Sequence, residues 1–230
     1  MSTFVLIHGA WHGGWCWTTV IDELAQRGHR SVAPDLPCDD TAAGWESYVE
    51  AAVGALDKSD DDIVVVGHSL GGGVIPLIAA RRPVERLVFV GSFPPEPGRT
   101  LDEAIGDEPD LTDPKALAFR DSLDDSGRYV WPSFETARYA MYHDCGLDDA
   151  RWAFSRLRPQ ASRPFSEPWP LDEWPDLPMS FIVCSEDRMG RAEHLRRVAR
   201  RRFGLEAIEL GGGHSPFLSR PAELVAALLA

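Results

Sequence analysis

Apolar residues in this chain come in short runs separated by glycine, proline and acidic turns. Residues 4–7, 63–66, 87–90 and 179–184 are too short for buried helices and rich in β-branched, aromatic or aliphatic side chains, so each predicts a buried strand. Residues 31–33 and 206–210 predict two shorter ones. Between these runs, over 17–27, 45–56 and 188–203, apolar positions recur every three or four residues, which predicts amphipathic helices. Gly28 and Gly204 stand where the first and last of these should stop. Strand and helix alternating at this spacing is the pattern of an α/β protein: a mainly parallel, doubly wound sheet with helices on both faces. From Pro94 to about Pro178 the alternation lapses into Pro, Trp and Asp with short helical stretches at 133–141 and 147–156. The expected organisation is a core of residues 1–95 and 179–230, with 96–178 inserted as a helical cap over the strand ends.

Composition narrows the class of partner. Of the 230 residues, 44% are hydrophobic and 26% charged, ordinary for a globular enzyme, while a formal charge of −13 disfavours nucleic acid and anionic membrane surfaces. The arginines of 188–202 fall between the apolar positions of their helix and read as its solvated face rather than as a phosphate site. No apolar run approaches the roughly 20 residues that span a bilayer, and Met1-Ser2-Thr3 leads straight into a strand without a basic leader, so a cytoplasmic location is expected. Cys16, Cys38, Cys145 and Cys184 lack disulfide or zinc spacing and read as free thiols. His8 and His12 sit four apart but lack an HExxH helix or an acidic third ligand, so no metal and no cofactor is expected. Asp35 and the acidic run 57–62 read as turn formers. Oligomeric state stays open, a homodimer included.

The chemistry concentrates where strand 63–66 turns into an apolar helix through Gly67-His68-Ser69-Leu70-Gly71. This is the G-x-S-x-G elbow in its strand-to-helix context: a sharp turn holds the serine at positive φ, and flanking glycines avoid collisions a Cβ would cause. The following helix aims free N–H groups at the point where an oxyanion would form. A second donor is expected from the Gly-rich loop after strand 4–7, at Ala10. Serine needs a base to take its proton and a carboxylate to orient that base. His214, on the Gly211-Gly212-Gly213 loop after the last strand, and Asp187, at the end of strand 179–184, are placed to be the candidates. His143-Asp144-Cys145 is set aside as a thiol centre, because adjacent residues in a helical run point in different directions. Four of the eight tryptophans, Trp131, Trp152, Trp169 and Trp174, lie in the insertion, where they either line an apolar pocket or pin the cap to the core. Trp11, His68, Trp131 and Trp152 are the pocket candidates.

The segments HGAWHGGWCW, GHSLGG, CSEDR and GGGHSPFLSRP resemble those of small bacterial α/β-hydrolases related to the plant methylesterase and hydroxynitrile lyase group. The resemblance covers essentially the whole chain. It implies the α/β-hydrolase fold, Ser69 as nucleophile, His214 as base, Asp187 as acid, and the N–H groups of Ala10 and Leu70 as the oxyanion hole. Glu186 neighbours Asp187, and Glu96 lies in a region where some relatives carry the acid instead. Hydroxynitrile lyases of this group have a threonine where this chain has Gly9 and a lysine where it has Ser215, so lyase chemistry is not expected. The expectation is a cofactor-independent serine hydrolase acting on an ester of a small to medium apolar substrate. A thioester or lactone is also compatible. The rivals are a non-turnover small-molecule receptor on the same scaffold, or a cofactor-free lyase or perhydrolase.

Overall fold

Every residue of Ile63–His68 is buried, so this strand has no polar face and must be covered on both sides. In the computed structural model, which describes residues 1–58 and 60–230, it is the third of six strands. These are β1 (Thr3–Ile7), β2 (Arg30–Val32), β3 (Ile63–His68), β4 (Arg86–Val90), β5 (Met179–Cys184) and β6 (Ile208–Leu210). All pair in parallel, in the order β2-β1-β3-β4-β5-β6. Alternate side chains serve opposite layers. Val65 joins Trp45, Tyr48, Ile75, Phe89 and Leu195 on one face. Val64 and Val66 join Trp17, Leu24, Phe217, Leu224 and Leu228 on the other.

The second layer is built by α1 (Thr18–Gln26), α9 (Pro216–Ser219) and α10 (Pro221–Leu229), and the first by α2 (Trp45–Gly54), α3 (Ile75–Ala79) and α8 (Ala192–Phe203). Several boundaries shift by a few residues from the sequence reading, α8 opening at Ala192 and β6 at Ile208, and two of the differences have clear reasons. β3 runs on to His68 because Gly67 and His68 still pair with Phe89 and Val90. The helix after the elbow is not continuous: Ser69–Gly73 forms a 3₁₀ turn, and α3 begins only at Ile75, with Pro76 in its first turn. Three successive glycines have little helix propensity, and proline brings no N–H to the ladder. Ser59, within the acidic run 57–62, lies outside the described residues.

Between β4 and β5 the chain forms α4 (Leu101–Gly106), a 3₁₀ helix (Pro114–Asp121), α5 (Phe134–Met141), α6 (Leu147–Phe154) and α7 (Arg163–Ser166). Thr100 and Glu103 cap α4 reciprocally, as Ser133 and Thr136 cap α5, so Ser133 precedes its helix rather than opening it. Trp169 is buried and donates its indole N–H to Gly73 O at 2.8 Å, with Trp174 packed on it at 4.6 Å. These two tryptophans pin the segment to the elbow turn.

Close approach fixes the elbow. A Cβ at Gly71 would stand 2.7 Å from Ile7 O and 2.8 Å from His8 O, and one at Gly67 would stand 2.7 Å from Gly71 O. Gly71→Ala should therefore cost about 1–3 kcal/mol or more in urea unfolding. Gly54→Ala, in a helix with nothing within 4 Å of the new methyl, should be neutral or stabilising by up to about 1 kcal/mol. Equal effects at the two sites would contradict this packing.

Three histidines are part of the core. His8, His12 and His68 are buried, and burial drives His8 from 6.5 down to about 4, His12 to about 3 and His68 well below its ordinary value. Since each folded pKa lies below the unfolded one, the unfolded chain binds more protons in between, and stability there rises with pH. The contribution is complete above about pH 6.5 and is lost on acidification, at up to about 1.4 kcal/mol per pH unit for each residue. Between about pH 7 and about pH 5, above the carboxylate range, the urea midpoint should already fall measurably. An unchanged midpoint over that interval would refute the assignment of these rings as neutral.

Candidate active site

Ser69 leaves β3 with φ at 52°, a left-handed conformation that costs a non-glycine residue about 1–3 kcal/mol. The surroundings impose it. Ser92 donates its hydroxyl to the Ser69 carbonyl at 2.7 Å, and the glycines at 67 and 71 let the strand and the 3₁₀ turn close on each other. Because β1 pairs directly with β3, the loop leaving Ile7 arrives beside Ser69. In that loop Trp11 is a second strained residue, with φ at 63°. It is held by Gln160 Oε1 on its N–H at 3.3 Å, by Tyr129 O on its indole N–H at 3.1 Å, and by the Arg158 N–H on its carbonyl at 2.8 Å.

β5 and β6 deliver the remaining pair. His214 Nδ1 lies 2.8 Å from Asp187 Oδ2, both residues being buried. The other carboxylate oxygen, Oδ1, accepts the N–H groups of Met189 at 2.8 Å and Gly190 at 2.9 Å, which fixes the carboxylate plane. A carboxylate on Nδ1 makes that nitrogen the donor and leaves the lone pair on Nε2. Glu96 does not share this position: its oxygens meet Arg99 at 2.9 Å and Arg202 at 3.0 Å. Asp35, read as a turn former, instead accepts the Gly14 N–H at 2.7 Å and so ties its loop to the one after β1, 21 positions away. Ser69, His214, Ala10 and Leu70 line one cavity of about 80 Å³.

The rest of the cavity wall is apolar except for Thr112 and the exposed Arg120, and its membership departs from the sequence expectation. Trp11 lines it, together with Leu101, Ile105, Leu111, Phe119, Phe165 and Met189. Trp131 does not: it is buried behind the wall, 5.2 Å from Trp11 and 5.5 Å from Phe119. Trp152 is also misplaced by that expectation. It lies 39% exposed, edge-on to Trp15, with Arg156 over its ring, because α6 turns that face to solvent. His68 sits beneath the site, its Nε2–H donating to the His214 carbonyl at 2.8 Å, so its ring positions backbone instead of facing the cavity. The i, i+4 pair Leu101 and Ile105 was a legible helical stripe. Phe119 and Phe165 sit on the 3₁₀ helix and on α7, too short for a periodic signal, and Leu111 and Met189 lie in irregular chain.

His8 and His12 spend both ring nitrogens on neighbours. His8 reaches Gly9 O and the Leu36 N–H, and His12 reaches Ala10 O and the Tyr142 hydroxyl. Among the described residues, no group of three or more His, Cys, Asp or Glu side chains could hold a metal ion.

Comparison with known proteins places this geometry. Residues 4–228 match the Alpha/beta hydrolase family. The chain is 36% identical over 115 residues to a carbendazim hydrolyzing esterase of Nocardioides, a match spanning 44% of this chain and less than half, 46%, of that protein. It is 28% identical to methylesterase 7 of Arabidopsis thaliana over 98% of this chain and 94% of that one. An extracellular alpha/beta-hydrolase from a Paenibacillus species superposes with a TM-score of 0.82 over 100% of this chain and 98% of its own, at 22% identity, and so shares the fold. With the family match running from the first strand to the last helix, this chain belongs to the alpha/beta hydrolase family.

Proposed function

We propose that this chain hydrolyses a carboxylic ester of a small to medium apolar substrate through an acyl-serine intermediate. Ser69 Oγ attacks the ester carbonyl while His214 Nε2 takes its proton. Asp187 holds the imidazole in the required tautomer and faces the imidazolium that forms. The oxyanion is received by the N–H groups of Ala10 and Leu70. Collapse of the tetrahedral adduct expels the alcohol, which leaves with the proton from His214. Water then adds to the acyl-serine by the same route, releasing the acid and restoring Ser69. The observation that carries this reading is the 2.8 Å His214–Asp187 contact at one cavity with a strained serine.

The substrate class follows from the wall. Apart from Ser69, His214, Thr112 and the exposed Arg120, the lining side chains are apolar, and Thr112 already donates its hydroxyl to Met189 O at 2.7 Å. Such a cavity favours a hydrophobic acyl or alcohol part. Leu101, Ile105, Leu111, Phe119 and Phe165 belong to the insertion, which supports 96–178 as a cap over a core of 1–95 and 179–230. Lyase chemistry is disfavoured by space as well as by residue type. A Cβ at Gly9 would stand 2.8 Å from Ser69 Cβ, so a hydroxyl-bearing side chain does not fit there without displacing the serine. Four buried free cysteines support a reducing, cytoplasmic setting. Homologues acting on esters include methylesterases and the carbendazim esterase, by their names.

Ser69→Ala should stay folded, lose p-nitrophenyl butyrate turnover by roughly 10⁴-fold or more, and lose fluorophosphonate labelling. Labelling of the variant equal to wild type would overturn the assignment, and a wild-type burst without turnover would favour a receptor. Asp187→Asn should cost roughly 10⁴ in kcat, whereas Glu96→Gln should leave it unchanged. The reverse order would move the acid to Glu96.

A further inference from the structure

Helix α5 ends at Met141, and Tyr142, with φ at −131° and ψ at 22°, leaves the helical path. Three consecutive side chains at this exit reach three different loops. The Tyr142 hydroxyl donates to His12 Nε2 at 2.8 Å, and His12 Nδ1–H donates to Ala10 O at 2.8 Å. This direction is forced, because a carbonyl only accepts and a neutral imidazole carries one N–H. His143 Nε2–H donates at 3.1 Å to the carbonyl of Glu186, the residue before Asp187. Asp144 Oδ2 accepts at 2.8 Å from the N–H of Gly213, the residue before His214.

The loops are laced to each other as well. The Glu186 N–H donates to Gly212 O at 2.9 Å, and the Ser185 N–H to Leu210 O at 2.9 Å. Contact with the exit turn is close. A Cβ at Gly213 would stand 2.6 Å from His143 Nε2 and 2.8 Å from Asp144 Oδ1, so the glycines of the His214 loop are what let it seat there. Tyr142 is fully buried, which makes its hydroxyl contact a fixed one.

We propose that Tyr142-His143-Asp144 is a positioning clamp, by which one turn of the insertion sets the oxyanion loop, the acid loop and the base loop relative to one another. The proposal rests on the ester-hydrolase reading. Each of the three loops hangs from a different strand, β1, β5 or β6, and shares no covalent constraint with the others. A misplacement of about 1 Å among reacting groups can cost roughly 100-fold in rate. The clamp residues touch neither substrate nor the reacting atoms and act through the backbone they hold.

The test is a set of single variants assayed on p-nitrophenyl butyrate. Asp144→Ala, His143→Ala and Tyr142→Phe should each lower kcat by roughly 10- to 100-fold while KM stays within about threefold. Asp144→Asn keeps an acceptor for the Gly213 N–H and should recover kcat to within about threefold of wild type. By NMR, amide exchange at Gly213 should quicken in Asp144→Ala and not in Asp144→Asn. Folded variants with kcat within about twofold of wild type, or an Asn variant no better than Ala, would overturn the clamp. Should Asp144→Ala fail to fold, Tyr142→Phe, which removes one hydroxyl, carries the test alone. Unchanged Gly213 exchange in Asp144→Ala refutes the clamp whatever reaction the site performs. A wild-type protein that turns over no ester, with Gly213 exchange responding as expected, refutes the ester reading and leaves the clamp.

Discussion

The near-contact of backbone with backbone where β3 turns beside the β1 loop is the constraint on which the site depends. At residues 9, 67 and 71 the neighbouring atoms lie 2.7–2.9 Å from where a Cβ would be, and that closeness forces Ser69 to φ 52°. The strain is held because β3 is fully buried and stays paired with its neighbours as far as Gly67 and His68. Trp11, the other strained residue of the site, is over-determined in the same way, donating to residues 129 and 160 and accepting from 158. Of the three non-glycine residues at positive φ among those described, two are therefore at the cavity, where strain is part of positioning.

Burial does a second job by keeping the surrounding imidazoles neutral. His8, His12 and His68 each have their ordinary pKa pushed far down by desolvation, and each uses ring nitrogens to hold a backbone carbonyl. Neutral rings add no positive charge beside His214, whose proposed role needs it to gain a proton in the transition state. Only His214 among these buried histidines has a carboxylate on its ring, at 2.8 Å, and that is the feature that separates the proposed base from the struts.

The core was legible because its physics is local. Strands 63–66 and 179–184 announce themselves by unbroken apolar character, and Ser69, Asp187 and His214 each follow directly on a strand, so chain order alone brings them to one edge of a parallel sheet. The discontinuity after Ser69 was hidden because apolarity says nothing about the helix-breaking sum of Gly71, Gly72, Gly73 and Pro76. The insertion was harder for a different reason. Whether a tryptophan lines a cavity or pins a segment depends on tertiary path, and Trp169 and Trp174 pin while Trp131 backs the wall and Trp152 faces solvent. His143-Asp144-Cys145 reads as a helical run with diverging side chains, but α5 ends at Met141, and His143 and Asp144 converge on loops 43 and 69 positions further along the chain.

The chain between β4 and β5 carries two tasks on separate stretches, so specificity can change apart from the geometry of reaction. Leu101 and Ile105 of α4, Leu111 of the loop after it and Phe119 of the 3₁₀ helix wall the cavity, while residues 142–144 at the exit of α5 hold the loops. The stretches meet at Tyr139, whose hydroxyl donates to Asp113 Oδ2 at 3.2 Å and whose carbonyl accepts from Arg188 at 2.9 Å, beside Asp187. A change of side-chain volume in the wall alters what fits against Ser69 without touching the hydrogen bonds at 142–144. A displacement of α5 as a whole would move all three loops together, because one helix exit holds them all. Substrate range on this scaffold is thus free to drift through 101–119, and the geometry of reaction is tied to the helix that follows.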